Sequence, residues 1–118
     1  MNDDAPLLDT TTLDNLIAAT SREFAQELIV IFHTVNTSAL DDLDAAITAG
    51  DFVEARRIAH KSRSAANLGA TRFSDLARRM EELPSDADDS EFTSLQADLR
   101  TTFTATETAL SQHLSDTP

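Results

Sequence analysis

The chain has 118 residues, enough for one domain built on a single core. It has no cysteine, which excludes a disulfide framework and a thiolate metal site. Its formal charge of −12 argues against broad binding to nucleic acid or to an anionic membrane surface.

The first residues, Met1-Asn2-Asp3-Asp4, are acidic where a signal peptide would be basic. The longest apolar run, Leu28 to Phe32, is far short of the ~20 residues that span a bilayer. A cytoplasmic protein with no membrane contact is therefore expected. Gly50, Gly69 and Pro84 fall between periodic segments and divide the chain into helices. Residues 10 to 18 form a short first helix, with Leu13, Leu16 and Ile17 on one side. Thr20 starts the second, with Glu23 completing a capping box. Its stripe is Phe24, Leu28, Ile31, Phe32, Val35, Ala39, Leu43, Ala46 and Ile47, the 3, 4, 3, 4 spacing of one helix face. Asp51 and Glu54 make a second capping box, and the third helix runs to Leu68 with Ala55, Ile58, Ala59, Ala65 and Ala66 facing inward. Thr71 caps the fourth, whose stripe is Phe73, Leu76, Ala77, Met80 and Leu83. A polar loop over residues 84 to 90 leads to the last helix, with Phe92, Leu95, Leu99, Phe103, Thr106, Leu110 and Leu114 inward.

No strand-like alternation interrupts this pattern, so the fold class is all-α. Short loops make neighbouring helices antiparallel, which predicts an up-down-up-down four-helix bundle with a short extra N-terminal helix. One domain over 1–118 is expected, with its core at about 10–114, flexible ends and a monomeric state.

The candidate chemistry lies in the third helix. Residues 56 to 79 carry Arg56, Arg57, Lys61, Arg63, Arg72, Arg78 and Arg79 against one acid, Asp75, while the rest of the chain is acidic. His60 sits inside this positive island, on a polar face with Val53, Arg56, Arg57, Arg63, Ser64 and Asn67. An exposed imidazole among cations suits a nucleophile that receives an anion such as a phosphoryl group. Lys61 and Arg63 can offer charge-assisted hydrogen bonds to its oxygens, and the small Ser64 leaves room above the ring. His33 and His113 read as structural histidines. Asp86, Asp88, Asp89 and Glu91 lack the glycine turn and ligand ladder of a calcium loop. With no zinc spacing, Gly-rich phosphate loop or Ser/His/Asp order, neither metal, cofactor nor ATP site is expected.

The stretch Arg57-Ile58-Ala59-His60, then Arg63 and Ala66-Asn67-Leu68-Gly69-Ala70, resembles the histidine-containing phosphotransfer (HPt) domain family. The resemblance covers about residues 10 to 114. It implies that His60 accepts a phosphoryl group from the aspartate of one receiver domain and passes it to another. The partners implied are receiver domains of a response regulator, a hybrid histidine kinase, or both. Arg63 takes the place of the family's lysine and Ser64 that of its glycine. Gly69 comes one residue sooner after His60 than is usual, and a one-residue deletion rotates the downstream side chains by about 100° on a helix. A docking surface around His60 is expected from Leu13, Leu16, Ile17, Ile29, Val30, Arg56, Arg57 and Asn67. The other readings are a phosphate-independent helical adaptor for a receiver or kinase, and an unrelated acidic interaction protein.

Overall fold

The computed structural model describes residues 5–116. Within them the chain forms five helices and no strand: α1 (Thr10–Ala19), α2 (Arg22–Thr48), α3 (Phe52–Ser64), α4 (Thr71–Glu81) and α5 (Asp89–Asp116). Helix α2 packs against α3 and α5, α4 against α3 and α5, and α1 against α2. A 28-residue helix is about 42 Å long, so α5 accounts for most of the 48 Å long axis. No described helix is long and apolar enough to cross a membrane.

The heart of the core is aromatic. Phe32 of α2, Phe73 of α4 and Phe103 of α5 meet with ring centroids 5.4 to 5.8 Å apart, the first two edge to face. Around them pack Leu40, Leu43, Ile58, Leu76, Met80, Leu99 and Leu110. Helix α3 offers mostly small groups inward, Ala55, Ala59 and Ser62 beside Ile58, which lets it lie close to its neighbours.

The stripes of α4 and α5 are buried as their spacing predicts, save that Leu83 and Leu95 are half-buried. Helix α2 departs from expectation in part. Phe32, Ala39, Leu43 and Ala46 of the expected stripe are buried and Leu28, Val35 and Ile47 half-buried, but Phe24 and Ile31 are 41% and 50% exposed, and Ala25, Asn36 and Leu40 are buried beside the stripe.

Several ends also differ. Thr20 closes α1, its hydroxyl donating to the Leu16 carbonyl (2.6 Å), and Ser21 caps α2 by accepting from the Phe24 amide (3.0 Å). Asp51 caps α3 as expected, but the Glu54 carboxylate turns to Arg57 while the Asp51 amide donates to the Ala46 carbonyl. Helix α4 begins after Ala70 without a side-chain cap, and the Thr71 hydroxyl donates to the Pro6 carbonyl (2.6 Å). Helix α3 stops at Ser64 rather than Leu68, and turns carry the chain to Gly69. There the Asp9 amide donates to the Gly69 carbonyl (2.8 Å), and Arg72 donates to the Ala5 carbonyl (2.9 Å). Residues 5 to 9 are thus tied across the α3–α4 turn. Of the ends expected to be flexible, residues 1–4 and 117–118 lie outside the described residues.

Candidate functional site

His60 lies in the third turn of α3, one residue beyond the buried pair Ile58 and Ala59. That phase turns its ring outward, and the side chain is 63% exposed. It does not stand alone. Nδ1 is 2.7 Å from Oε1 of Glu81, near the end of α4. A carboxylate only accepts, so Nδ1 carries the hydrogen of this bond, and in the neutral ring the lone pair then sits on Nε2. Arg63 Nη2 is 3.4 Å from Nδ1, but two donors make no bond, and Arg63 serves Glu81 instead. Its Nε donates to Oε2 (2.6 Å) and its Nη2 to Oε1 (3.3 Å).

The Glu81 side chain is only 18% exposed. Burial by itself would push its carboxyl up, but hydrogen bonds from Arg63 and then His60 outweigh this and hold it below the ordinary glutamate value. The site is therefore a three-residue unit: an anion held by a guanidinium on one side and an imidazole N–H on the other.

This arrangement corrects the picture of a broad positive island. Arg57 pairs with Glu54, Arg78 with Asp75 and Glu82, and Arg79 with Asp75. Arg56 is half-buried, donates to the Leu83 and Pro84 carbonyls (3.3 and 3.0 Å) and lies over the Phe92 ring. Three of the neutralising acids, Glu54, Glu81 and Glu82, lie just outside residues 56 to 79, so a count over that stretch leaves them out. Lys61 is exposed and, among the described residues, has neither hydrogen bond nor ion pair. Ser64 is exposed, but its hydroxyl donates back to the His60 carbonyl (3.1 Å), so it first supports the helix backbone.

Of the expected docking residues, Leu13 is fully buried in the core and offers no surface. Leu16, Ile17 and Ile29 are half-buried against the core. Val30 is 62% exposed, and Arg57 and Asn67 are exposed. Val30 and the unexpectedly outward Ile31 line a shallow depression on α2 with Glu23, Gln26 and Glu27.

The other histidines also pair with acids across helices. His33 Nδ1 meets Glu107 of α5 and stacks on Phe103, and His113 Nε2 is 2.7 Å from Asp14 of α1. Sequence reasoning missed Glu81. Its signal was faint: it flanks the Ala77–Met80 stripe of α4, the edge that can face a neighbouring helix.

No group of acids and histidines among the described residues is arranged to hold a metal ion. No curated protein and no solved structure is matched by the chain. Residues 27–114, from the first turns of α2 nearly to the end of α5, match the family model for the Hpt domain. The exposed imidazole and its α4 partner fall inside that span, and the chain belongs to the Hpt domain family.

Proposed function

We propose that this chain is a phosphotransfer module of a two-component phosphorelay, with His60 as the residue that carries the phosphoryl group. Hpt domains act in histidine phosphotransfer and interact with receiver domains. The observation that carries the reading is the state of the imidazole: outward, with Nδ1–H engaged by Glu81 and the Nε2 lone pair open. In the reaction that lone pair attacks the phosphorus of a receiver's aspartyl phosphate. The P–O bond breaks, its electron pair stays on the aspartate carboxylate, and an Nε2–P bond forms. Onward transfer to a second receiver reverses these steps. Lys61, and Arg63 when it turns from Glu81, can meet the phosphoryl oxygens with charge-assisted bonds. Ser64 leaves the approach to the ring open.

The same proposal includes the finer architecture. The ring of contacts α2–α3–α4–α5 and the short loops support an antiparallel up-down-up-down bundle with α1 as an added N-terminal helix. The chain acts as one domain over 1–118, a cytoplasmic monomer that meets receivers of a response regulator or hybrid kinase and supplies no ATP site of its own.

A second reading, a receiver-binding adaptor without phosphate, is supported by the commitment of Arg63 to Glu81. One experiment separates the two. The chain is incubated with phosphorylated receiver domains, and acid-labile label on it is measured. His60→Gln is expected to abolish labelling while its helical circular dichroism is unchanged. Label that persists in this variant and disappears with His33 or His113 replaced overturns the assignment, and an unlabelled chain that still binds receivers supports the adaptor.

A further inference from the structure

We propose that Glu81 is a positioning residue that keeps Nδ1 of His60 protonated after phosphorylation, and thereby sets how readily the phosphoryl group leaves. The inference rests on His60 being the phosphorylated residue. Once Nε2 is bonded to phosphorus, the ring is neutral only if it gives up the Nδ1 proton; if it keeps that proton it is a cation. Oε1 of Glu81 stands 2.7 Å from Nδ1 on the side of the ring away from Nε2. An ionised carboxylate there favours the cation. When the Nε2–P bond then breaks, its electron pair returns to Nε2 and the leaving group is a neutral imidazole still carrying Nδ1–H. Without that proton the leaving group would be an imidazolate, which departs far less readily.

Glu81 is equipped for this. It is mostly covered, and two hydrogen bonds from Arg63 fix the carboxylate, so its orientation does not depend on the histidine. The other charges on this side of α3 are Arg56, which donates to the Leu83 and Pro84 carbonyls, Arg57, which is paired with Glu54, and Lys61. From α2, Asp42 acts on Arg57. From α4, Glu81 is the acid bonded to the ring. Glu81 therefore supplies the negative charge at Nδ1, and removing that charge alone changes the chemistry.

The test uses the whole chain, phosphorylated with potassium phosphoramidate and then freed of reagent. Loss of phosphohistidine is tracked by phosphorus NMR in mildly alkaline buffer, and the ring nitrogens by nitrogen-15 NMR, for wild type, Glu81→Gln and Glu81→Ala. Gln keeps the shape and an acceptor oxygen without the charge. Loss of one charge-assisted bond corresponds to about a tenfold change, so both variants are expected to hold the phosphoryl group about tenfold longer and to pass it to a receiver more slowly. Their phosphorylated rings are expected to lack the Nδ1 hydrogen that the wild type keeps. Circular dichroism checks that both are folded, and Gln stands if Ala does not. A Glu81→Gln lifetime equal to or shorter than wild type, or an Nδ1 protonated to the same extent, overturns the role of Glu81. A wild-type chain that gains no phosphohistidine at His60 overturns the functional reading, and this inference with it.

Discussion

The Glu81 carboxylate shows how a site can be half visible along a chain. His60 and Arg63 are a turn apart on α3, so a face plot places them together. Glu81 lies 21 positions from His60 and reaches it only because α4 packs against α3. Its presence changes what the neighbouring cations do. Arg63 holds the anion that orients the ring, and Lys61 remains as the uncommitted charge beside it. Replacing Arg63 and Lys61 together by Ala removes both the support of Glu81 and the nearest cation. A charge-assisted contact is worth roughly 1.5–3 kcal/mol, so receiver-to-His60 transfer is expected to slow by about ten- to a hundredfold in rapid-quench kinetics. Transfer at the wild-type rate would show that these cations have no such part.

At the scale of elements, the end of α3 is the informative place. The helix stops at Ser64, and the turns after it close on Gly69, whose φ is +100°. A Cβ at Gly69 would lie 2.6 Å from the Asp9 carbonyl oxygen, because residues 5 to 9 cross the turn there. Two demands thus meet at one glycine: a backbone region that L-residues avoid, and a gap that only hydrogen fills. Gly50 also has positive φ, at 73°, but nothing lies within 4 Å of its Cβ position. Gly50→Ala is therefore expected to cost about 1 kcal/mol from backbone strain alone. Gly69→Ala carries that strain and must also displace the Asp9 strand of chain, so its melting temperature falls further. Thermal denaturation of the two variants side by side measures the difference, and equal melting temperatures would show that the crossing segment yields without strain. The Asn67-Leu68-Gly69-Ala70 segment, of which Asn67 and Leu68 were expected to close the third helix, is the turn that receives this crossing segment.

For the molecule as a whole, the question is where a partner meets it. Ile29 is half-buried against the core, whereas Val30 and Ile31 face solvent together, and Val30 also borders a groove between α2 and α5 with Arg22 and Leu114. Exposed apolar side chains rimmed by Glu23, Gln26 and Glu27 have the character of a contact surface. Val30→Ser with Ile31→Asp is expected to weaken receiver binding by about tenfold or more in titration calorimetry, with little change in melting temperature because neither side chain fills the core. Undiminished affinity in the folded variant would remove this patch from the interface. Ile29→Asp, by contrast, reports on folding first.

The sequence by itself determined the helical class, the number and order of the helices, the core lines of α4 and α5, and the outward phase of His60. These arise from local periodicity and turn chemistry, which need only near neighbours in the chain. The burial of Ala25 and Leu40 rather than Phe24 and Ile31 on α2, and the pairing of Arg63 with Glu81, were decided by tertiary contact. Each was a choice between locally similar options. Phe24 and Ile31 continue the spacing of Phe32 and Leu43 as well as Ala25 and Leu40 do until neighbouring helices cover one side. Arg63 reads as a free cation until Glu81 of α4 is brought within hydrogen-bond reach, whereas Arg57, Arg78 and Arg79 meet acids three or four residues away along the chain. Periodicity fixes which residues share a face, but which face is covered, and by what charge, depends on helices that are distant in sequence.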